Sequence, residues 1–404
     1  MPLGAFRINT LSRFVAAGGG ISAGDSLTSL TGVVYNTDQY YTYRVNFAGV
    51  DSSGKPVFAF GFRDDTANAA KALLIRIEDD NSITAGSITT FYTGTGSLDP
   101  LEDVQMITDN GDSAHCVMTY QDRANSPYEL YARAASLDLD TLSFTLGTQL
   151  TVFTGSIDTM TLGAYLGNGR YVVGHRSSQI PLYLLHRAGT TLTLENSTTL
   201  GLGTQVYNTA QGYDRSGNLY RMSIVNSTAT VNFSAKYWNG TTPSSNPTPI
   251  TPITGLSSVI ITQFCALDSV SKGLVVSTDG TTTKAAVTDI SWPGSGTAAP
   301  TLSSGTQLTL TDDVHDRKML LAKGEDNTAH FIYYDNSASA WKERTLTASG
   351  TTLTEGASSN VTTLTSSQTN FGDMAYYNDG TWKYLLAVVD NSGSNTPDCY
   401  VKRF

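Results

Sequence analysis

Five histidines, His115, His175, His186, His315 and His330, are the first side chains to test for chemistry. None forms a His-Glu-x-x-His pair or another metal-ligand spacing, so the sequence gives no zinc-hydrolase signal. His115 and His330 each directly precede a strongly apolar run, which favours a repeated structural position over proton transfer. Two acidic stretches, Asp109-Asn110-Gly111-Asp112 and Gly324-Glu325-Asp326-Asn327, have the residue types for calcium. They lack the twelve-residue ligand pattern with its closing Glu and read as solvated turns. Cys116, Cys265 and Cys399 are too few and too far apart for a zinc site or a disulfide framework, and read as reduced core residues.

Other reaction centres fare no better. The chain has no P-loop, dinucleotide fingerprint or Gly-x-Ser-x-Gly elbow. A glycosidase would need two facing carboxylates, about 5 Å apart or roughly 6.5 to 9.5 Å apart according to stereochemistry, and sequence spacing places no such pair. The Ser, Asp, Gly and Trp motif of sialidase-type propellers finds one approximate match, Asn378-Asp379-Gly380-Thr381-Trp382, without an equivalent elsewhere. Clustered aromatics offer stacking surfaces instead: Tyr40, Tyr41 and Tyr43; Tyr237 with Trp238; Tyr333 with Tyr334; Tyr376 with Tyr377. Strand alternation is expected to put one of each adjacent pair inside, mostly as packing. No catalytic, cofactor-binding or metal residue is nominated, and the expectation is a non-enzyme.

The elements that would position these residues repeat along the chain. A polar turn followed at once by an apolar strand occurs seven times, with strands beginning at Val57, His115, Tyr171, Tyr220, Leu274, His330 and Tyr384. The separations are 58, 56, 49, 54, 56 and 54 residues, so seven units fill most of the 404-residue chain. Around each signature lie an upstream strand, a third strand and a more polar fourth one, joined by Gly, Asn and Asp turns. Four such strands make an antiparallel meander, and seven meanders in a ring make an all-β, seven-bladed β-propeller. The last unit, ending in Cys399-Tyr400-Val401-Lys402-Arg403-Phe404, lacks a fourth strand. Ser26 to Gly32 is expected to supply it by pairing with Cys399 to Phe404, closing the ring and removing a bare edge.

Composition fits this architecture. Only 15% of residues are charged, against roughly 25% in ordinary soluble domains, while the chain has 37 Gly and 21 Tyr. A net charge of −10 argues against nucleic acid, since phosphate recognition needs a basic footprint. No apolar run reaches the roughly 18 to 20 residues needed to cross a bilayer, so membrane insertion is not expected.

Residues 1–20 fall outside the repeat, which leaves 21–404 for the propeller. Their apolar and aromatic side chains, Leu3, Phe6, Ile8, Leu11 and Phe14, with Arg7 among them, precede a flexible Ala/Gly run. Both docking on a partner and packing on the propeller's own flank are open for this segment. The opening Met1-Pro2-Leu3-Gly4-Ala5-Phe6-Arg7-Ile8-Asn9 resembles that of structural proteins from tailed bacteriophages, particularly marine ones. The resemblance spans nine to fourteen residues and carries no catalytic position. It implies a virion protein of tail, fibre or capsid surface, with other virion proteins as partners of the N-terminal peptide and the propeller facing outward to a host glycan or protein. A lectin-like propeller is the alternative, and a glycan-acting enzyme a third.

Overall fold

The computed structural model describes residues 23–33, 43–64, 66–94, 101–122, 128–155, 158–176, 179–200, 202, 207–227, 230–364, 372–389 and 396–404. Every regular element among them is a β-strand, and the strands form seven antiparallel sheets. The seven innermost strands are Tyr43–Val50, Leu101–Thr108, Asp158–Gly167, Tyr207–Ser216, Ile261–Ala266, Val314–Lys323 and Gly372–Asn378. Each touches the next, and the last touches the first, so the sheets are blades one to seven of a closed propeller.

Burial explains the ring. The second strand of blade one, Pro56–Asp64, is buried along its whole length. Phe58, Phe60 and Phe62 point toward blade seven, and Val57 and Ala59 toward blade two. Seven apolar clusters result, one in each gap between neighbouring blades. A strand with both faces covered reads as a continuous apolar run, which is why these strands dominate the sequence signature. All three cysteines are buried and unpaired in these gaps.

The turns are set by side chains as well as by glycine. The Asp51 carboxylate accepts the backbone N–H groups of Ser53 and Lys55, and Asp268 accepts those of Val270, Ser271 and Lys272. Such turns let Asp fix a reversal locally, independent of the core. In blade three Asn168 and Gly169 both take left-handed conformations, φ 54° and 70°, as a two-residue hairpin demands.

Two details depart from expectation. The closing strand is Gly24–Ser29 rather than Ser26–Gly32, and it pairs with Asp398–Arg403 in the register Ser26 to Val401 and Leu27 to Tyr400. The chain turns away after Leu30, and Gly32, at φ 82°, lies in that turn. The rim strands of blades one, four, five and six are also split in two. Gly86, Gly305 and Gly356 sit between the pieces in three of them. A Cβ on Gly86 would overlap the carbonyl of Leu142, and one on Gly305 that of Thr351, each in the outer turn of the next blade. Blade two keeps an unbroken rim, with a register shift around Gly147 and the same close approach, to Thr190.

Candidate functional site

The inner strands surround a cavity of about 540 Å³ on the propeller axis. Short sequences set its lining: Arg44 to Phe47, Gln105 to Thr108, Leu162 to Tyr165, Ala210 to Gly212, Ile261 to Cys265, Leu321 to Gly324 and Gly372 to Asn378. Phe47 and Tyr377 stack at the mouth, with centroids 4.0 Å apart and planes 9° from parallel. Tyr165, Tyr376, Lys323 and Asn378 share this end, on the face that carries the turns between first and second strands.

Deeper in, polar side chains tie blades to one another. The Asp373 carboxylate accepts the Val45 N–H at 2.8 Å, and Arg44 Nε donates to Gln105 Oε1 at 2.9 Å. Burial pushes the Asp373 carboxyl above the usual range, and the Arg44 charge opposes that rise. Gln211 and Gln263 line the wall contributed by blades four and five. Among the described residues that line the cavity, Asp373 is the one carboxylate, so they do not form the facing pair that glycoside hydrolysis requires.

A Ser, His and Asp trio lies between blades two and three. Ser113 Oγ hydrogen-bonds the Asp109 carboxylate and lies 3.1 Å from His115 Nδ1. Arg187 donates to Asp109 at 2.7 Å and to Ser113 Oγ at 3.0 Å, and Tyr171 also donates to Asp109. An activated serine gives its proton to histidine while the acid orients the ring. Here the hydroxyl is directed to the carboxylate and accepts from a guanidinium, so the trio acts as a cross-brace. The Asp109–Asp112 turn faces solvent at Asn110, Gly111 and Asp112, while Asp109 itself is 0% exposed, because partners from the neighbouring blade satisfy it. The Gly324–Asn327 turn also faces solvent, at Glu325 and Asp326.

His330 occupies the equivalent gap of blades six and seven, stacked on Tyr376 at 5.1 Å and near Phe404 at 5.0 Å. Burial, with Lys402 and Lys383 nearby, pulls its pKa down to about 4. The other aromatic pairs also face gaps. Tyr237 and Trp238 are both 0% exposed, contrary to the expectation that one of each pair would be inside. Their strand is covered on both faces: Tyr237 meets Trp292 of blade five, and Trp238 the cluster shared with blade three. Tyr40 and Tyr41 lie outside the described residues, as do all six nominated docking residues, Leu3, Phe6, Arg7, Ile8, Leu11 and Phe14. Among the described residues no group of three or more His, Cys, Asp or Glu side chains could hold a metal ion. Sequence reasoning missed Arg44, Asp373, Gln211 and Gln263. Their signal was a charged or amide side chain inside an otherwise apolar first strand.

No family model matches this sequence, and no curated protein matches it. Solved structures do resemble the fold. The Saccharomyces cerevisiae core factor is 8% identical, with a TM-score of 0.50, over 96% of this chain and 62% of that one. A Trypanosoma rangeli sialidase bound to the inhibitor DANA gives 11% identity and 0.47, over 95% and 60%. An Aleuria aurantia lectin bound to Fucα1-6GlcNAc gives 13% and 0.41, over 80% and 97%. At such identities the likeness concerns architecture alone. The chain is a seven-bladed β-propeller, and its neighbours from a yeast, a trypanosome and a fungus add nothing to the viral resemblance of its first residues.

Proposed function

We propose that this protein is a non-enzymatic virion component in which residues 1–20 dock on other virion proteins and the propeller is the rigid part presented outward. The observation that carries this reading is the position of Gly24. It pairs with Arg403 at the outer rim of blade seven, on the face that carries the cavity mouth. A preceding segment is therefore joined to the chain at the edge of the disc. The sequence resemblance of Met1 to Asn9 to phage structural proteins supplies the particle context. The single carboxylate of the described cavity lining and the direction of the Ser113 hydroxyl support a non-catalytic role. In the test, full-length protein and a variant lacking residues 1–20 are supplied to assembling particles. The full chain is expected to co-purify with virions and the shortened one to stay free although folded. Normal incorporation of the shortened chain would reject the docking role.

A second reading, carbohydrate binding, is favoured by the cavity itself. Arg44 and Asp373 on one wall, amides on another and tyrosines at the mouth can match the hydroxyls and apolar face of a sugar. It calls for one site per chain, rather than one in every blade. Saturable glycan binding at that stoichiometry supports it, and a blank glycan array removes it.

A further inference from the structure

One position breaks the apolar pattern of the second strands. The residue following each strand-start position is Phe58, Cys116, Val172, Val275, Phe331 or Leu385 in six blades, all at most 1% exposed, and of these Val172 alone faces the following blade as Arg221 does. In blade four it is Arg221, half-buried between blades four and five. A guanidinium here is costly unless something accepts its protons.

Nothing in the described protein does so. Arg221 makes no hydrogen bond and no ion pair among the described residues, and its Nε is buried without a partner. Burial lowers its pKa. Its recorded surroundings are aromatic. Its guanidinium lies 5.7 Å from the ring centre of Trp292, and Tyr213 and Tyr237 flank it across the sheet. Both tyrosines meet Trp292 edge-on, at 5.8 and 6.3 Å. The indole is itself fixed, because Trp292 Nε1 donates to the Val270 carbonyl at 2.7 Å. The next stretch of blade five is tied down too, by Tyr237 Oη donating to the Ala298 carbonyl at 2.8 Å and Ser245 N–H to that of Thr297 at 2.7 Å.

We propose that Arg221 and Trp292 form an oxyanion-binding site at the seam of blades four and five, which takes a carboxylate or phosphate group of a small molecule or glycan. The planar guanidinium offers parallel donors to two oxygens, which suits both groups. Aromatic walls lower the local dielectric and strengthen that attraction. The site is independent of the virion reading and of the axial cavity, and its failure would leave both standing.

The test uses the full chain with methyl glucuronide, inorganic phosphate and uncharged methyl glucoside as probes, followed by calorimetry and thermal shift. At least one of the two anions is expected to bind at one site per chain and raise the melting temperature, while methyl glucoside does neither. The tighter anion tells a carboxylate source from a phosphate source. Arg221→Lys should weaken binding about tenfold, because an ammonium cannot give two parallel bonds. Arg221→Met should abolish binding while the protein stays folded, as its neighbours are apolar. Binding that survives in Arg221→Met, equal binding of methyl glucoside, or no binding by either anion would each overturn the proposal.

Discussion

Arg403, one residue from the end of the described chain, donates at 2.6 Å to the backbone carbonyl of Glu78 in blade one. Its second terminal nitrogen donates to the carbonyl of Asp79, also at 2.6 Å, and the side chain is 2% exposed. Lys402, on the opposite face of the same strand, pairs with Glu343 of blade six. The last strand thus fastens its blade to both neighbours through adjacent residues, as the two-residue alternation of a strand allows. Arg403→Met should leave the Asp79 carbonyl without its donor, while Glu78 keeps the Asn81 N–H, and cost roughly 1 to 3 kcal/mol. Urea denaturation against wild type measures this, and an unchanged midpoint would show that the seam does not depend on these bonds.

The N-terminal strand should matter more than the segment before it. Deleting residues 1–20 is expected to leave the melting temperature unchanged. Deleting 1–30 removes the partner of Asp398–Arg403 and bares that strand's edge. Light scattering should then detect self-association, together with a lower melting temperature. Two truncations that behaved alike would contradict this division.

Acid should loosen the same region. His330 has a folded pKa of about 4, below its ordinary value of 6.5, so the unfolded chain binds the extra proton first. Its contribution is intact above pH 6.5 and is lost as pH falls toward 4, by roughly 3 kcal/mol in all. Lys402 and Lys383 reinforce the loss, and Glu325 opposes it. Glu78, held near 2 by hydrogen bonds from Lys55, Thr84 and Arg76 despite burial, adds a second loss below pH 4.5. Stability measured from pH 7 to 4 should decline in wild type and stay flatter in His330→Phe, which keeps a ring against Tyr376 and Phe404. Parallel curves would exclude His330 as the cause.

Two glycines allow a contrast of mechanisms. At Gly212 a Cβ would overlap the Tyr165 carbonyl, where the inner strands of blades three and four run close together. Gly212→Ala is therefore expected to cost roughly 1 to 3 kcal/mol by overpacking. Gly189 has open space but a φ of 60°, so Gly189→Ala should cost about 1 kcal/mol through backbone strain alone. Thermal melts should show the larger loss at Gly212, and the reverse order would place the axial approach elsewhere.

The seven second strands could be read directly because each is announced by its own turn and buried on both sides, both local properties. His115, Tyr171 and Tyr384 lie within one residue of the strand starts. Contacts between blades were not legible, since nothing near Asp109 announces Arg187, 78 positions away, and nothing near Glu78 announces Arg403. Gly147-Thr148-Gln149-Leu150-Thr151 and Gly305-Thr306-Gln307-Leu308-Thr309 are identical in sequence. Their meaning emerges only when each glycine is seen against the outer turn of the following blade. The unpaired Arg221 was invisible for a similar reason: an arginine in a strand is unremarkable until its surroundings are seen to hold no acceptor for it.

The pairing of Gly24 with Arg403 also orders events in time. A ribosome releases the first strand hundreds of residues before its mate, so six sectors can be complete while the seventh still waits. Joining segments so distant in sequence is a slow step in any chain. Until it happens, the nascent disc is an open arc with a sticky flank, and the final zipping is the moment at which the protein becomes safe from its neighbours.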